Sequence, residues 1–507
     1  MDDTDDKETS KRRSSSTSSF ESWIKKNWEY KVAVFIVLYY LISHVLLETT
    51  GYFHETGLNN HLRVLPNEVI QHFDKTQSFD DDDFNVDKFA YIQYATNYEY
   101  LNLAIINFIH LRKSGSKIKN FVILHDETMV HYNAQNWNNL YLLANEHHIK
   151  LKPVPLLKVK FSDSSSWSAS FTKFHIFNQV EYDRVVYFDS DSMLLNLDEY
   201  KDIGDEDFDF EHLTNSHGNI DELFKLPKNI QYALPQAYWL NDVVESRGKV
   251  NDLARKIPKK VEIPSTRRYH LRMGKLVNDI SKLDSKKQQQ DIFELLPPLL
   301  YESHKYDNFD DFFANHIMMI TPSKALFNEL MKHTFNPWYW YIFNRSKLRR
   351  SQDYDMEILN KVFDDKFKTG EKGFKIGILP HKVYGVLTGE FGELYHRRFT
   401  VEPQYLPFIQ KKSTDIDEWK PINLLRQVRV LHFSDAPIPK PWEHQDNSDY
   451  YNANKIYCAK VDDWEEYYTL YPSQYKPRLT NDCDSVNIWN WIRADFTESR
   501  LEHWLIV

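Results

Sequence analysis

The stretch YDRVVYFDSDSMLLNLDEY, Tyr182–Tyr200, carries an apolar run, Val185–Phe188, that stops abruptly on Asp189-Ser190-Asp191, with a third acid, Asp198, close behind. A short apolar run bounded by turn residues reads as a buried strand. Two carboxylates one residue apart can present oxygens to a single hard cation. Mg²⁺ or Mn²⁺ completes such a shell with water and substrate phosphates. A buried strand that ends on Asp-x-Asp is therefore a candidate diphosphate–metal site. Alone, the same pattern also fits an ordinary capping turn.

The residues before this strand alternate between two periods. FAYIQYAT (Phe89–Thr96) and NFVILH (Asn120–His125) read as strands, and KLKPVPL from Lys150 as a third. Glu99–Gly115, Trp137–Ile149 and Ser170–Val180 read as helices, the first stopped by Gly115. Strands alternating with helices predict an α/β domain with a mostly parallel sheet covered on both faces. Ligands of such sheets bind outside the carboxyl ends of the strands, and Asp189 and Asp191 sit at such an end. Beyond the stretch, residues 201–305 are highly charged and read as an insertion of helices and long loops. A further strand is expected in Phe313–Ser323, helices over about Ser323–Thr334 and Gln352–Phe363, and a late strand at Val428–Ser434. The second of those helices carries acids at Asp353, Asp355 and Glu357.

The chain has 507 residues and a net charge of −10, which argues against a nucleic-acid partner. Phe, Tyr and Trp make up 15% of it, enough for a thick core or for stacking on sugars and bases. The two cysteines, Cys458 and Cys483, exclude a disulfide-built fold; they read either as one late bridge or as two separate thiols.

VAVFIVLYYLISHVLL, Val32–Leu47, is almost continuously apolar. A full span needs about 20 residues, so the segment is short, and a buried core helix is the competing reading. Lys11, Arg12, Arg13, Lys25, Lys26 and Lys31 precede it, a bias that keeps the N-terminus cytosolic. No small-residue cleavage site follows, so the expectation is an uncleaved transmembrane signal anchor in a thin internal membrane. Residues 1–31 are then a disordered cytoplasmic tail, 48–87 a stem, 88–450 the main folded domain, and 451–507 an extension packed on it. The acidic FDDDDF, Phe79–Phe84, lacks the alternating spacing of a cation loop and reads as solvated stem.

A strand ending in Asp-x-Asp also opens the haloacid-dehalogenase-type phosphatases. There a Thr or Val usually stands two positions after the second Asp, where this chain has Met193, and the motif lies near the start of its domain, as it does not here. Read in order, the motifs instead resemble glycosyltransferase family 8, the glycogenin-like retaining enzymes, over roughly Phe89 to Trp442. YIQYATNYEYLNLAIINFIHLRKSGSKIKNFVIL is similar to that family's first βαβ unit. TKFHIFNQVEYDRVVYFDSDSMLLNLDE is similar to its lysine helix and Asp-x-Asp strand. FFANHIMMITPS stands at its Asn-Ala-Gly strand, and HFSDAPIPKPW resembles its His-x-x-Gly-x-x-Lys-Pro-Trp signature. The anchor and charged insertion resemble most closely the fungal Golgi N-acetylglucosaminyltransferases known as glucose N-acetyltransferases.

The resemblance implies a GT-A-like, Rossmann-like mixed sheet with helices on both faces, on a single-pass type II anchor in the Golgi membrane with a lumenal domain. It implies Mn²⁺ or another divalent cation held by Asp189, Asp191 and His432. It implies a UDP-sugar donor, with N-acetylglucosamine as the sugar, and a mannose-containing glycan acceptor. Tyr94, Ala95 and Thr96 fall at the uridine-side strand end, followed by Asn97 and Tyr100. Lys173 and Arg184 fall at basic positions near the donor, Lys440 at the diphosphate, and Asn315 and Asp355 at the donor sugar.

Three departures stand out. Met356 occupies the position of a Gln sometimes proposed as nucleophile, which favours front-face attack by the acceptor itself. His316 replaces a glycine and is expected to crowd the donor side. SDAPIP lengthens the loop before Lys440 and removes its glycine. Asn344-Arg345-Ser346 is a sequon, usable in a lumenal domain. Two other readings remain at this point: a non-catalytic glycan or nucleotide binder with the same fold, and a cytosolic self-glucosylating primer, against which the anchor argues. Glucose and galactose remain alternative donor sugars.

Overall fold

The computed structural model describes residues 61–81, 84–158, 166–201, 216–237, 266–283, 292–297, 313–336, 353–392, 420–434, 455–459 and 478–506, with 203, 208–210, 213, 437, 438, 440 and 442 between them. Before residue 58 only 32, 35–39 and 41 are described, all helical, in a unit separate from Leu58–Val507. Among the described residues no helix is long and apolar enough to cross a membrane. The expected span 32–47 lies mostly outside them, as do Asp82, Asp83 and Asn344.

Eight strands form the main sheet: β1 (Leu62–Val64), β2 (Phe89–Ala95), β3 (Asn120–Asp126), β4 (Lys150–Val154), β5 (Arg184–Phe188), β7 (Tyr232–Leu234), β8 (Ile317–Ile320) and β9 (Ile376–Ile378). Their order is β1-β9-β7-β8-β5-β2-β3-β4. A second sheet joins β6 (Ser192–Leu194), β10 (Val386–Leu387) and β11 (Val430–His432) in the order β10-β11-β6. The main helices are α1 (Asn67–Thr76), α2 (Tyr98–Lys113), α3 (Ala134–Glu146), α4 (Thr266–Ser281), α5 (Lys324–Phe335), α6 (Asp355–Thr369), α7 (His381–Tyr384) and α8 (Val486–His503).

The central strands are buried on both faces, which is why they read as continuous apolar runs. Successive side chains of β5 divide between two cores: Val186 and Phe188 join one cluster, Val185 and Tyr187 the other. Helix α2 starts where the Asn97 side chain accepts the Tyr100 N–H, and it is followed by Gly115 at φ +79°, a left-handed position that suits glycine.

The architecture is mixed α/β, and the main sheet is mostly parallel as expected; among its described strands only β8 runs antiparallel, to both β5 and β7. The insertion, read as helices and long loops, also supplies strand β7 to the sheet. The segment expected as a helix over Ser170–Val180 is a run of 3₁₀ turns, Ser166–Asn178. Its buried rings Phe171, Phe174 and Phe177 repeat every three residues, so a three-residue turn keeps them on one face of the core. Part of the stretch read as stem lies in the sheet, with Leu62–Val64 paired to Ile376–Ile378.

Cys458 and Cys483 are joined by a disulfide. Helix α8 lies against α2, where Asn102 Nδ2 donates to the His503 carbonyl at 2.9 Å and the Leu505 N–H donates back to Asn102 Oδ1 at 2.9 Å.

Candidate active site

Asp189-Ser190-Asp191 is the connection between the two sheets: β5 ends at Phe188 and β6 begins at Ser192. The turn is held by main-chain bonds. The Asp189 N–H donates to the His316 carbonyl at 2.8 Å, and the Phe433 N–H donates to the Asp191 carbonyl at 2.9 Å. Asn107 Nδ2, on α2, donates to the Ser190 carbonyl at 3.0 Å. Ladder register then brings in the histidine, because His432 on β11 pairs with Ser192 on β6. Its Nδ1 lies 3.6 Å from Asp191 Oδ1 and 3.3 Å from Ser192 Oγ. Asp189, Asp191 and His432 each offer a ligand atom, and these atoms lie within 4.8 Å of one another.

Lysines stand on either side. Lys173 Nζ, buried, lies 3.1 Å from Asp189 Oδ1 and 3.1 Å from Asp355 Oδ2, and donates to Asn315 Oδ1 at 3.2 Å. Burial alone would lower this ammonium, but Asp189 and Asp355 outweigh it and leave Lys173 raised. Asp189 is also raised: burial dominates, opposed by Lys173 and reinforced by Asp191. The Tyr187 hydroxyl donates to the same carboxylate. Lys440 Nζ lies 3.5 Å from Asp191 Oδ2 and donates to the Tyr100 hydroxyl at 2.9 Å. Three carboxylates thus face two ammonium groups, a balance that leaves room for further positive charge.

The sugar-side residues are tied together. Asn315 Nδ2 donates to Asp355 Oδ2 at 2.7 Å. Asp355 opens α6, where a carboxylate meets the positive end of the helix dipole. Glu357 caps that helix by accepting the Tyr354 N–H at 2.8 Å. Asn360, which the sequence reading did not single out, grips Phe313 from both sides: its Oδ1 accepts the N–H at 2.8 Å and its Nδ2 donates to the carbonyl at 2.9 Å. A buried asparagine five residues into a helix carries no mark of this in the sequence.

Of the residues expected at the site, Asp189, Asp191, His432, Lys173, Lys440, Tyr100, Asn315 and Asp355 are linked by these contacts. Tyr94 joins them through its ring, 5.8 Å from Lys173 Nζ and 6.2 Å from the Tyr187 ring. Thr96 follows the end of β2 and is half-buried. Asn97 is spent on capping α2. Arg184 does not belong. It starts β5, at the opposite end from Asp189, and its guanidinium donates to the carbonyls of Phe224, Leu226 and Pro227 at 2.9, 2.5 and 3.1 Å. Burial lowers it to about 10. His316 stands beside the candidate cation site. Its ring is stacked on His432 at 5.1 Å between centroids and 19° between planes. Burial, first, and then the neighbouring histidines hold His316 well below the ordinary imidazole range.

No protein-family model matches the chain. It is 55% identical over 490 residues to Glucose N-acetyltransferase 1 of Candida albicans, covering 96% of this chain and 99% of that protein. It is 43% identical over 485 residues to the protein of the same name from Debaryomyces hansenii, covering 95% and 98%. Among solved structures it is similar to the bifunctional glycosyltransferase WbbM, with a TM-score of 0.36 and 15% identity over 71% of this chain and 48% of that one.

Proposed function

The chain belongs to the glucose N-acetyltransferase 1 family, and from that premise we propose that it is a retaining glycosyltransferase that moves N-acetylglucosamine from UDP-N-acetylglucosamine to a mannose-containing glycan. The observation that carries this reading is the convergence of Asp189, Asp191 and His432 ligand atoms within 4.8 Å, beside the Lys440 ammonium. Two carboxylates and an imidazole suit Mn²⁺ or a similar divalent cation. Such a cation, when bound, offsets the charge of a sugar nucleotide's diphosphate and stabilises it as a leaving group.

In this reading Asp189, Asp191 and His432 hold the cation. Lys440, steadied by the Tyr100 hydroxyl, meets the negative charge that develops on the departing UDP. Tyr94 and Thr96 line the uridine side. Asn315 and Asp355, already hydrogen-bonded to each other, orient the donor sugar. Lys173 fixes the Asp189 and Asp355 carboxylates against one another. Met356 offers no side-chain nucleophile, so the acceptor hydroxyl attacks from the face that UDP leaves, and its proton passes to the leaving phosphate oxygen. The N-acetyl group of the donor follows the name of the relatives.

The reading also takes residues 32–47 as a type II signal anchor and the domain as lumenal, in the Golgi. Its support is the apolar segment with its basic flank, and the Cys458–Cys483 bridge, which fits an oxidising compartment. Incubating the full chain with Mn²⁺, UDP-N-acetylglucosamine and mannose oligomers, and reading the product by proton NMR, tests the reaction. An α-linked N-acetylglucosamine product is expected. A β-linked product contradicts retention, and product only from UDP-glucose or UDP-galactose contradicts the donor.

A further inference from the structure

We infer that His316 is a positioning residue for the cation site, holding the His432 imidazole and the Asp189 turn in register with each other. The inference rests on the metal reading proposed above for Asp189, Asp191 and His432.

Three contacts of one residue carry it. The His316 carbonyl accepts the Asp189 N–H at 2.8 Å, so its main chain fixes the start of the Asp-x-Asp turn. The His316 ring stacks on the His432 ring, 5.1 Å between centroids and 19° from parallel. The same ring donates a hydrogen bond to the Tyr384 carbonyl, which fixes its own orientation. The two ligands that it touches come from different sheets. Asp189 directly follows β5 of the main sheet, and His432 ends β11 in the second.

The support under His316 is itself anchored to the strand of His432. The Tyr384 hydroxyl donates to Glu222 Oε1 at 2.7 Å. The N–H of Arg429, one residue before β11, donates to the Val383 carbonyl on α7 at 2.7 Å. Helix α7 is thereby tied by a main-chain hydrogen bond to the residue that leads into β11.

An imidazole needs such support because rotation about its last side-chain torsion is broad and only two-fold restricted. Contacts at 3.3 Å to Ser192 and 3.6 Å to Asp191 constrain Nδ1, but not the tilt of the ring. A flat neighbour against the ring face supplies that restraint. Hydrogen-bonded outer partners of a metal-ligating histidine are typically worth 10–100-fold in metal affinity, and the stacked ring is taken on that scale. Glycine, the residue that the family resemblance places at this position, would leave the face of His432 without it.

The test is Mn²⁺ binding to the full chain, followed by the loss of the free ion's electron paramagnetic resonance signal, with no donor and no turnover. His316→Ala is expected to weaken Mn²⁺ binding about 10–100-fold. His316→Phe, which keeps a flat ring and refills the space, is expected to recover most of the loss. It also keeps the test decisive where the alanine variant folds poorly. Equal binding by wild type and His316→Ala overturns the inference, as does a His316→Phe loss as large as that of His316→Ala. A wild-type chain with no saturable Mn²⁺ binding overturns the metal reading itself, and this inference with it.

Discussion

The Lys173 ammonium lies 3.1 Å from the Asp189 carboxylate, and both side chains are largely withdrawn from water. A second carboxylate, Asp355, lies at the same distance from Lys173. Removing the cation from such a cluster leaves buried carboxylates uncompensated, which costs about 3–5 kcal/mol. Lys173→Met is therefore expected to lower the urea unfolding free energy by about that amount. A loss below about 1 kcal/mol would mean that the cluster is solvated and behaves as a surface pair.

Arg184 separates a structural arginine from a donor-binding one. Its three carbonyl partners are buried with it. Hydrogen bonds from a charged group contribute about 1.5–3 kcal/mol each, so losing all three in Arg184→Leu is expected to destabilise the fold by about 4.5 kcal/mol or more. The donor KM of the folded fraction should not change. A raised donor KM at unchanged stability would return Arg184 to the site.

Glu222 gives the account a pH dependence. Burial raises its carboxyl to about 7, against the partial opposition of Arg429 and the Tyr384 hydroxyl. The folded state then holds the proton more tightly than the unfolded chain, whose carboxyl titrates near 4.5. Between those two values folding takes up a proton, so this group's contribution to stability falls as pH rises through about 4.5 to 7. Glu222→Gln removes the titration and is expected to flatten the melting temperature across that window. An unchanged slope would place the titrating group elsewhere.

The disulfide closes a loop of sequence separation 25 between β12 (Ile456–Cys458) and the segment just before α8. Loop-closure entropy assigns such a link about 3 kcal/mol. Cys483→Ser should lower stability by that order in calorimetry, with the Mn²⁺ affinity of the remaining folded protein unaltered. A variant as stable as wild type would show the bridge to be dispensable for the fold.

How much of this was legible in the sequence follows from the range of each interaction. The β5 strand and its two terminal acids were legible because a continuous apolar run ending on carboxylates is a local signal. The neighbouring strands were legible for the same reason, and so was the stop of α2 at Gly115. The direction of β8 was not, since a period of two or a buried run is the same read either way. His432 lies 240 residues from Ser192, and only the family resemblance joined them. The meeting of Lys173, Asn315 and Asp355 depends on three segments that no local pattern connects, and again came from the resemblance. Arg184 was misread because a basic residue beside an apolar run looks alike at either end of a strand. The stacking of His316 on His432 was not legible either, because a sequence gives the size of a side chain but not the way it turns.

The central claim is that Asp189, Asp191 and His432 form the metal centre of a sugar-nucleotide transferase. The most direct measurement is UDP release from UDP-N-acetylglucosamine by the full chain, with mannose oligomers as acceptors, titrated with Mn²⁺ for the wild type and for Asp191→Asn. The account predicts saturable, Mn²⁺-dependent release by the wild type and a loss of about 100-fold or more in the variant, the scale of a removed electrostatic stabiliser. Release that is indifferent to Mn²⁺, or an Asp191→Asn variant as active as the wild type, would contradict it.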